Sequence, residues 1–235
     1  MKKSFLKFLN KLNHLIGLIF VPNKLFQEEN IWDLYNKEEK IKCYDHFKKH
    51  FKSSIFLRRS DIRKYAIQES LNNNKGEDKY FLEFGVFKGV STNFFSKFVK
   101  TFYGFDSFEG LREDWVGWNL GRGHFNLNNK LPKLNKNVQI VKGQIQDTLD
   151  QFLAKHNPKI NFVHMDVDTY ETSSFILKKI KPHLIKGAII IFDELYNFPA
   201  WDVGEYKALK ENFTEEQYSF KAFSIEGKEV VIQIK

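Results

Sequence analysis

Acidic residues close several short apolar runs in this chain, and their positions define the chemistry it can do. In Phe81-Leu82-Glu83-Phe84-Gly85-Val86-Phe87-Lys88-Gly89-Val90-Ser91, Glu83 stands near the end of one run. Gly85 and Gly89 follow, four apart, before Ser91 opens a helix. Fifteen residues past Ser91, the run Thr101 to Phe105 ends in Asp106. Glycines let a backbone approach a ligand closely. A carboxylate at the tip of the next strand can accept two hydrogen bonds from a ribose diol. Strand, glycine turn, helix and acid-tipped strand together make a nucleoside-cofactor site on a doubly wound sheet. Glu83, Gly85, Gly89, Ser91 and Asp106 are thus candidate cofactor residues, with Ser107 and Phe108 placed to flank an adenosine.

A second constellation lies further along. Asp166 follows the run Ile160–Met165, and Asp193-Glu194 follow Ala188–Phe192. Neighbouring strands of a parallel sheet would bring these three carboxylates to one spot, where α/β sheets place ligands. They repel one another unless a cation or protons intervene. Oxygen ligands without cysteine favour Mg²⁺, or Mn²⁺ or Ca²⁺. Asp168 has two readings. It is a base or further ligand beside Asp166, or it opens a capping box, Asp168-Thr169-Tyr170-Glu171, at the start of the next helix. His124, in Gly121-Arg122-Gly123-His124-Phe125, is a candidate base or simply an exposed loop histidine. Trp115, Trp118 and Trp201 could stack on a sugar face or pack a lid.

The elements that must position these residues alternate from Lys79 onward. Strands are expected at about Tyr80–Phe84, Thr101–Phe105, Val138–Lys142, Ile160–Met165 and Ala188–Phe192. Helices are expected at Ser91–Lys100, Thr148–Lys155, Tyr170–Lys181 and Gly204–Asn212. Residues 109–136, rich in Gly, Asn and Trp, form a long irregular segment of the kind that serves as a lid or binding loop. Tyr218–Ser224 and Lys228–Ile234, joined by Glu226-Gly227, read as a hairpin. The fold class is therefore α/β: a doubly wound, mostly parallel, seven-stranded Rossmann-like sheet with a C-terminal antiparallel hairpin and a helical N-terminal extension. Tyr206-x-x-x-Lys210 matches a pattern of NAD(P)-dependent Rossmann oxidoreductases. Yet the serine expected about thirteen residues earlier falls on Asp193, and no glycine-rich turn opens the chain.

Several segments resemble one family together. These are Glu83-Phe84-Gly85 with Gly89 and Ser91, and Tyr103-Gly104-Phe105-Asp106-Ser107-Phe108-Glu109-Gly110-Leu111. His164-Met165-Asp166-Val167-Asp168-Thr169-Tyr170 and Phe192-Asp193-Glu194-Leu195-Tyr196-Asn197 complete the set. In order and spacing they are similar to the macrocin O-methyltransferases over roughly residues 55–235. A mostly parallel sheet closed by an antiparallel hairpin is likewise the pattern of class I S-adenosylmethionine-dependent methyltransferases. The resemblance implies metal-assisted methylation of a hydroxyl on a sugar or a glycosylated, polysaccharide-related small molecule. It implies S-adenosylmethionine as cofactor, with Gln146 against the adenine edge. Asp166, Asp193 and Glu194 would hold the metal, and Asp168, Asp166 and His124 would be the candidate catalytic groups. Catechol-type relatives carry Asp, Asp and Asn at the metal positions, so Glu194 is a departure.

Composition bounds the rest. The chain has 235 residues, is 42% hydrophobic and carries a formal charge of +8. Residues 1–60 hold 13 Lys and Arg against 6 Asp and Glu, while the rest hold 24 against 23. The basic character therefore belongs to the N-terminal part rather than to the cofactor unit, and carboxylates at a site mouth repel nucleic-acid phosphates. Residues 1–75 are expected to form a helical extension serving as lid, oligomer or surface contact, and 76–235 the methyltransferase domain. Residues 2–21, with Phe5, Leu9, Leu12 and Ile16 at helical spacing, read as an amphipathic helix. It packs on protein, in a homo-oligomer, or touches a membrane peripherally. The single cysteine, Cys43, excludes an internal disulfide and fits a reducing, cytoplasmic setting. A non-catalytic module docking by its basic N-terminus is the other alternative.

Overall fold

Runs such as Ala188-Ile189-Ile190-Ile191-Phe192 are apolar at every position, so a strand made from them must be covered on both faces. The computed structural model, which describes residues 30–76, 78–116 and 120–235, has that arrangement. Its elements are α1 (Ile31–Phe51), β1 (Ile55–Leu57), α2 (Arg59–Asn73), β2 (Lys79–Phe84), α3 (Val90–Phe95), β3 (Phe102–Asp106), β4 (Val138–Lys142) and α4 (Ile145–His156), then β5 (Lys159–Met165), α5 (Tyr170–Ile180), β6 (Leu184–Phe192), α6 (Glu205–Asn212), β7 (Tyr218–Ser224) and β8 (Val230–Ile234). The strands form one sheet in the order β1-β7-β8-β6-β5-β2-β3-β4. Only β8 runs against its neighbours, β6 and β7. The mostly parallel sheet and its closing hairpin agree with the expectation from sequence.

The chain divides into two compact units, residues 1–38 and 39–235. In the first, Asn30 caps the start of α1, accepting from the Asp33 amide at 3.0 Å and donating to the Asp33 carboxylate at 2.8 Å. The second holds the whole sheet. One of its faces is covered by α4, α5 and α6, through Leu149, Phe152, Ile176, Leu177 and Leu209, together with Cys43 and Phe47. The other packs on α2 and α3 through Ile62, Ala66, Ile67 and Phe95. The side-chain alternation of a strand sorts residues between these layers. Leu82 and Phe84 join the first, and Phe81 the second. Cys43 is buried; its thiol accepts from the Asn197 amide at 3.2 Å, and burial pushes it up to about 11. No helix among the described residues is long and apolar enough to cross a membrane.

Three details differ from the sequence expectation. The sheet has eight strands rather than seven, because Ile55–Leu57 adds parallel to β7 at the edge. Three residues are too few to show a period. The helix opening near Ser91 ends at Phe95 and tightens into a 3₁₀ turn over Ser96–Phe98. β6 begins at Leu184 rather than Ala188, running through Gly187 at φ +83°. The proposed helix over residues 2–21 lies outside the described residues, as does Trp118.

Phe47 is fully buried among Trp201, Tyr206, Phe220 and Phe223, with ring centroids 5.1–5.7 Å away. Phe47→Ala is expected to cost about 3–5 kcal/mol of stability. Urea unfolding checks this, and a loss under about 1 kcal/mol would mean that the helix does not seat on the sheet.

Candidate active site

The C-terminal tips of β2, β3, β5 and β6 open into a cavity of about 280 Å³. Its floor and walls include Gly85, Asp106, Ser107, Gln146, Asp166, Asp168, Asp193 and Glu194, and Leu111, Arg112, Trp115 and Phe125 of the long loop cover it. Gly85 has φ +91°, and a Cβ there would overlap the Asp166 carbonyl oxygen. No other residue lets the turn after β2 pass so close to the tip of β5. Asp106 stitches that turn to the tip of β3. Its Oδ2 accepts from the amides of Val86 (2.8 Å) and Phe87 (2.7 Å), and its Oδ1 from that of Phe108 (2.7 Å). A carboxylate offers about four acceptor positions, so Oδ1 retains one toward the cavity.

Of the expected cofactor residues, Gly85, Asp106, Ser107 and Gln146 line the cavity, whereas Glu83, Gly89, Ser91 and Phe108 do not. Glu83 points into the layer under α2 and α3, where its carboxylate accepts from the Thr92 hydroxyl and pairs with His164 Nδ1 at 2.8 Å. Gly89 adopts φ +74° at the start of α3, pressed against Leu134. Ser91 and Phe108 are buried beside the cavity. These four support its wall from behind. His124 is exposed on the loop, with its ring edge-on to Phe125 at 4.4 Å. Phe125 reaches the cavity and His124 does not, so His124 is not positioned as a base. Trp201 is part of the aromatic core around Phe47. Trp115 is buried in the cavity wall.

The acidic tips separate by partner. Asp193 is held by Arg63 (2.5 Å) and Arg59 (3.0 Å) of α2 and lies 3.5 Å from His164 Nε2. Burial alone would raise the Asp193 pKa, but His164 and the two guanidiniums outweigh it and hold the carboxyl well below the usual range. Burial would discharge His164, yet the neighbouring Asp193 and Glu83 carboxylates push it up to about 10. The remaining acids lack such partners. Asp166, Asp168 and Glu194 each bring an oxygen within 4.8 Å of the others. Burial first, then Asp193, raises Asp166; burial, then Glu194, raises Asp168. Glu194 is pushed up to about 8 by burial and by Asp193 and Asp166, against the pull of Lys228 at 3.5 Å. Its Oε2 has no hydrogen-bond partner. An orphaned buried carboxylate oxygen between two other acids fits a hard divalent cation. Asp166, Asp168, Asp193 and Glu194 all line the cavity, and Asp193 is the one the arginines engage. His164, Asp166 and Asp193 form a second close group, but two arginines already occupy Asp193.

Asp168 does not open a capping box. The residue preceding α5 is Thr169, which makes no side-chain cap of its own. Asp168 takes φ +64°, with the Thr169 amide bonded to the Val167 carbonyl at 2.7 Å around it. A non-glycine residue in that tight turn is strained. The turn leaves Asp168 in the cavity wall.

Sequence reading missed what closes the site. Glu113, on the loop, accepts at Oε1 from Thr169 Oγ1 (2.6 Å), Thr172 Oγ1 (2.9 Å) and the Thr172 amide (3.2 Å). It thereby caps α5 from another segment, supplying the anion that a helix N-terminus favours. Gln146 Nε2 donates to the same Thr172 hydroxyl at 3.2 Å. Phe87, at φ 46°, packs edge-on to Phe125 at 5.2 Å across the cavity. Arg59 and Arg63, four apart beside the apolar Ile62, Ala66 and Ile67, were the one signal that α2 turns charge toward the sheet.

Residues 82–195 match the model of a family described as a methyltransferase domain. The fold is similar to that of CalS11, a calicheamicin methyltransferase, at TM-score 0.61 and 19% identity over 90% of this chain and 96% of that one. A second structure, apo CalS11 described as a TDP-rhamnose 3'-O-methyltransferase, gives 0.55 and 18% over 90% and 98%. The O-methyltransferase NovP gives 0.52 and 19% over 75% and 78%. No curated protein sequence matches the chain. Residues 82–195 are thus similar to a methyltransferase domain, and the structural likenesses establish the α/β Rossmann-like fold.

Glu113→Ala removes three hydrogen bonds and the α5 cap. It is expected to cost about 1 kcal/mol and to speed amide exchange in residues 109–136 by roughly tenfold. Unchanged exchange there would mean that Glu113 does not fasten the loop.

Proposed function

We propose that the methyltransferase domain of this chain transfers the methyl group of S-adenosylmethionine to a hydroxyl oxygen of a sugar or glycosylated small molecule, assisted by a divalent cation. The observation that carries this reading is the close group of Asp166, Asp168 and Glu194 in the cavity wall, together with a buried Glu194 Oε2 that has no hydrogen-bond partner. The residues fit both groups. Asp106, at a strand tip with acceptor capacity left on Oδ1, suits a ribose hydroxyl, and Gln146 an adenine edge. The acidic floor complements a sulfonium, whose methyl is already a good electrophile. Asp166 and Glu194, with Asp193 beside them at the tip of β6, would hold the cation, which would supply Lewis acidity toward the acceptor hydroxyl.

The chain's own side chains do the rest. Trp115, Phe87 and Phe125 exclude water and strengthen the electrostatics of the floor. Arg112, exposed at the rim, gives the entrance a positive charge opposite the acidic floor. Asp168, strained into the cavity wall and raised by its neighbours, is placed to take the hydroxyl proton as the oxygen attacks. The resemblance to macrocin O-methyltransferases and the description of CalS11 as a TDP-rhamnose 3'-O-methyltransferase support a sugar acceptor. The oxidoreductase alternative loses its motif. Tyr206 is buried in the aromatic core, bonded to His46, with Lys210 over its ring at 4.9 Å.

Calorimetry with S-adenosylhomocysteine is expected to show binding that Asp106→Asn weakens about 10-fold or more, the worth of a hydrogen bond to a charged group. A screen of nucleotide sugars with labelled S-adenosylmethionine is expected to yield product that a chelator suppresses. Asp168→Asn should lower turnover by roughly 10²–10⁴-fold while leaving S-adenosylhomocysteine binding intact. No heat with S-adenosylhomocysteine, together with tight NAD binding, would refute the reading.

A further inference from the structure

The end of the cavity that Gln146 lines is hydrogen-bonded in one direction only. Glu113 Oε1 accepts from the Thr172 amide at 3.2 Å, a group that can do nothing but donate. The same oxygen receives the Thr169 hydroxyl at 2.6 Å and the Thr172 hydroxyl at 2.9 Å. An ionised carboxylate offers acceptors alone, so the one proton of the Thr172 hydroxyl is committed to Glu113. On its other side the Thr172 oxygen can then only accept, and the neighbour there must present a donor. Gln146 does so, with Nε2 at 3.2 Å from Thr172 Oγ1. The second atom of that amide, Oε1, takes no hydrogen bond from the described residues, and Gln146 stands in the cavity wall.

We propose that Glu113 and Thr172 are positioning residues that hold the Gln146 amide with its carbonyl oxygen toward the ligand, so that the site selects a purine bearing an exocyclic amine and rejects the 6-keto counterpart. This rests on the S-adenosylmethionine reading of the cavity. A side-chain amide turned end for end keeps its shape and reverses its polarity. Left to itself, Gln146 could serve an amine or a carbonyl equally well by turning over. Its bond to Thr172 removes that choice. Turning the amide would set Oε1 against a hydroxyl oxygen with no proton left to give, and both acceptors would go unpaired away from bulk water. An adenine amine donates to Oε1 and extends the series: amine to Gln146, Gln146 to Thr172, Thr172 to Glu113. A 6-keto purine brings an acceptor to the same point and leaves Oε1 without a partner. Sites built around one hydrogen bond reject the analogue that lacks it, because their own polar group is then stranded. The selectivity is assembled from three segments, since Glu113 lies on the long loop, Gln146 in α4 and Thr172 in α5.

The test is calorimetry of the full chain with S-adenosylhomocysteine and with its deaminated analogue, S-inosylhomocysteine, in wild type, Thr172→Val, Thr172→Ser and Glu113→Ala. Wild type is expected to bind the amine form about 10-fold or more tightly, the effect of stranding one buried acceptor. Thr172→Val and Glu113→Ala each free the amide to turn, so the ratio should fall below about 3-fold in both. Thr172→Ser keeps the hydroxyl and should keep the ratio. A packing role for Thr172 predicts instead that Glu113→Ala leaves the ratio untouched and that serine fails as valine does. Three results overturn the proposal: a wild type that binds both compounds equally, a ratio that survives Thr172→Val or Glu113→Ala, or a ratio lost in Thr172→Ser. If Glu113→Ala does not fold, the valine and serine variants decide alone. Binding of neither compound refutes the donor reading and the selectivity with it, whereas binding of both without preference removes the selectivity and leaves the donor reading standing.

Discussion

Taking charge out of water is the constraint that organises this molecule. An isolated buried carboxylate is costly enough that it either finds a counter-charge or gives up its ionisation. Strand tips β2, β5 and β6 bring Glu83, Asp166, Asp193 and Glu194 together, with Asp168 just beyond. Their neighbours respond in both ways. Asp193 is paired by arginines and stays ionised, while Asp166, Asp168 and Glu194 are raised toward holding protons. Glu205, buried behind Glu194 and accepting from its amide at 3.1 Å, is raised as well, by burial and then by Glu194. A cation is the alternative to protons for such a group.

Backbone close to those tips is arranged with little freedom. Gly85 fits only because it has no Cβ against Asp166, and Asp106 uses three acceptor positions to hold two turns at once. A ligand entering here meets dipoles fixed by the fold, which is the condition for electrostatic preorganisation. The loop of residues 109–136 is held differently. Its own ladder joins Leu111 to His124 and Gly123 at 2.8 Å, and Glu113 fastens it to α5. Its far end is tied to the body as well, through Asn93 to Lys133 and Asn135 and through Lys142 to Asn129.

How far the sequence could be read follows the range of each signal. The central strands were legible within a few residues because burial on both faces makes them apolar at every position, and their acidic ends stood out against that background. Asp106, Gly85 and Gln146 were found in the cavity for the same local reason. Glu83 was not distinguishable from a ligand-facing acid, because the side a strand residue faces depends on register, and one step reverses it. Sequence reading assigned Asp193 to a cation and left Asp168 as a base, a further ligand or a helix cap. It could not show the arginines that hold Asp193, 134 and 130 residues away. His164 reads as one polar residue in an apolar run until Glu83 and Asp193 stand on either side. The edge strand β1, Ile55–Leu57, was too short to see.

Gln146 and Glu113 both bond the hydroxyl of Thr172, one from the nucleoside side of the cavity and the other from its cover. A hydroxyl can give its proton and accept at its oxygen at once, so Thr172 donates to Glu113 while accepting from Gln146, and each contact polarises the other in the same direction. Loosening either weakens its neighbour, and the nucleoside end of the cavity and its cover are therefore coupled through a single oxygen.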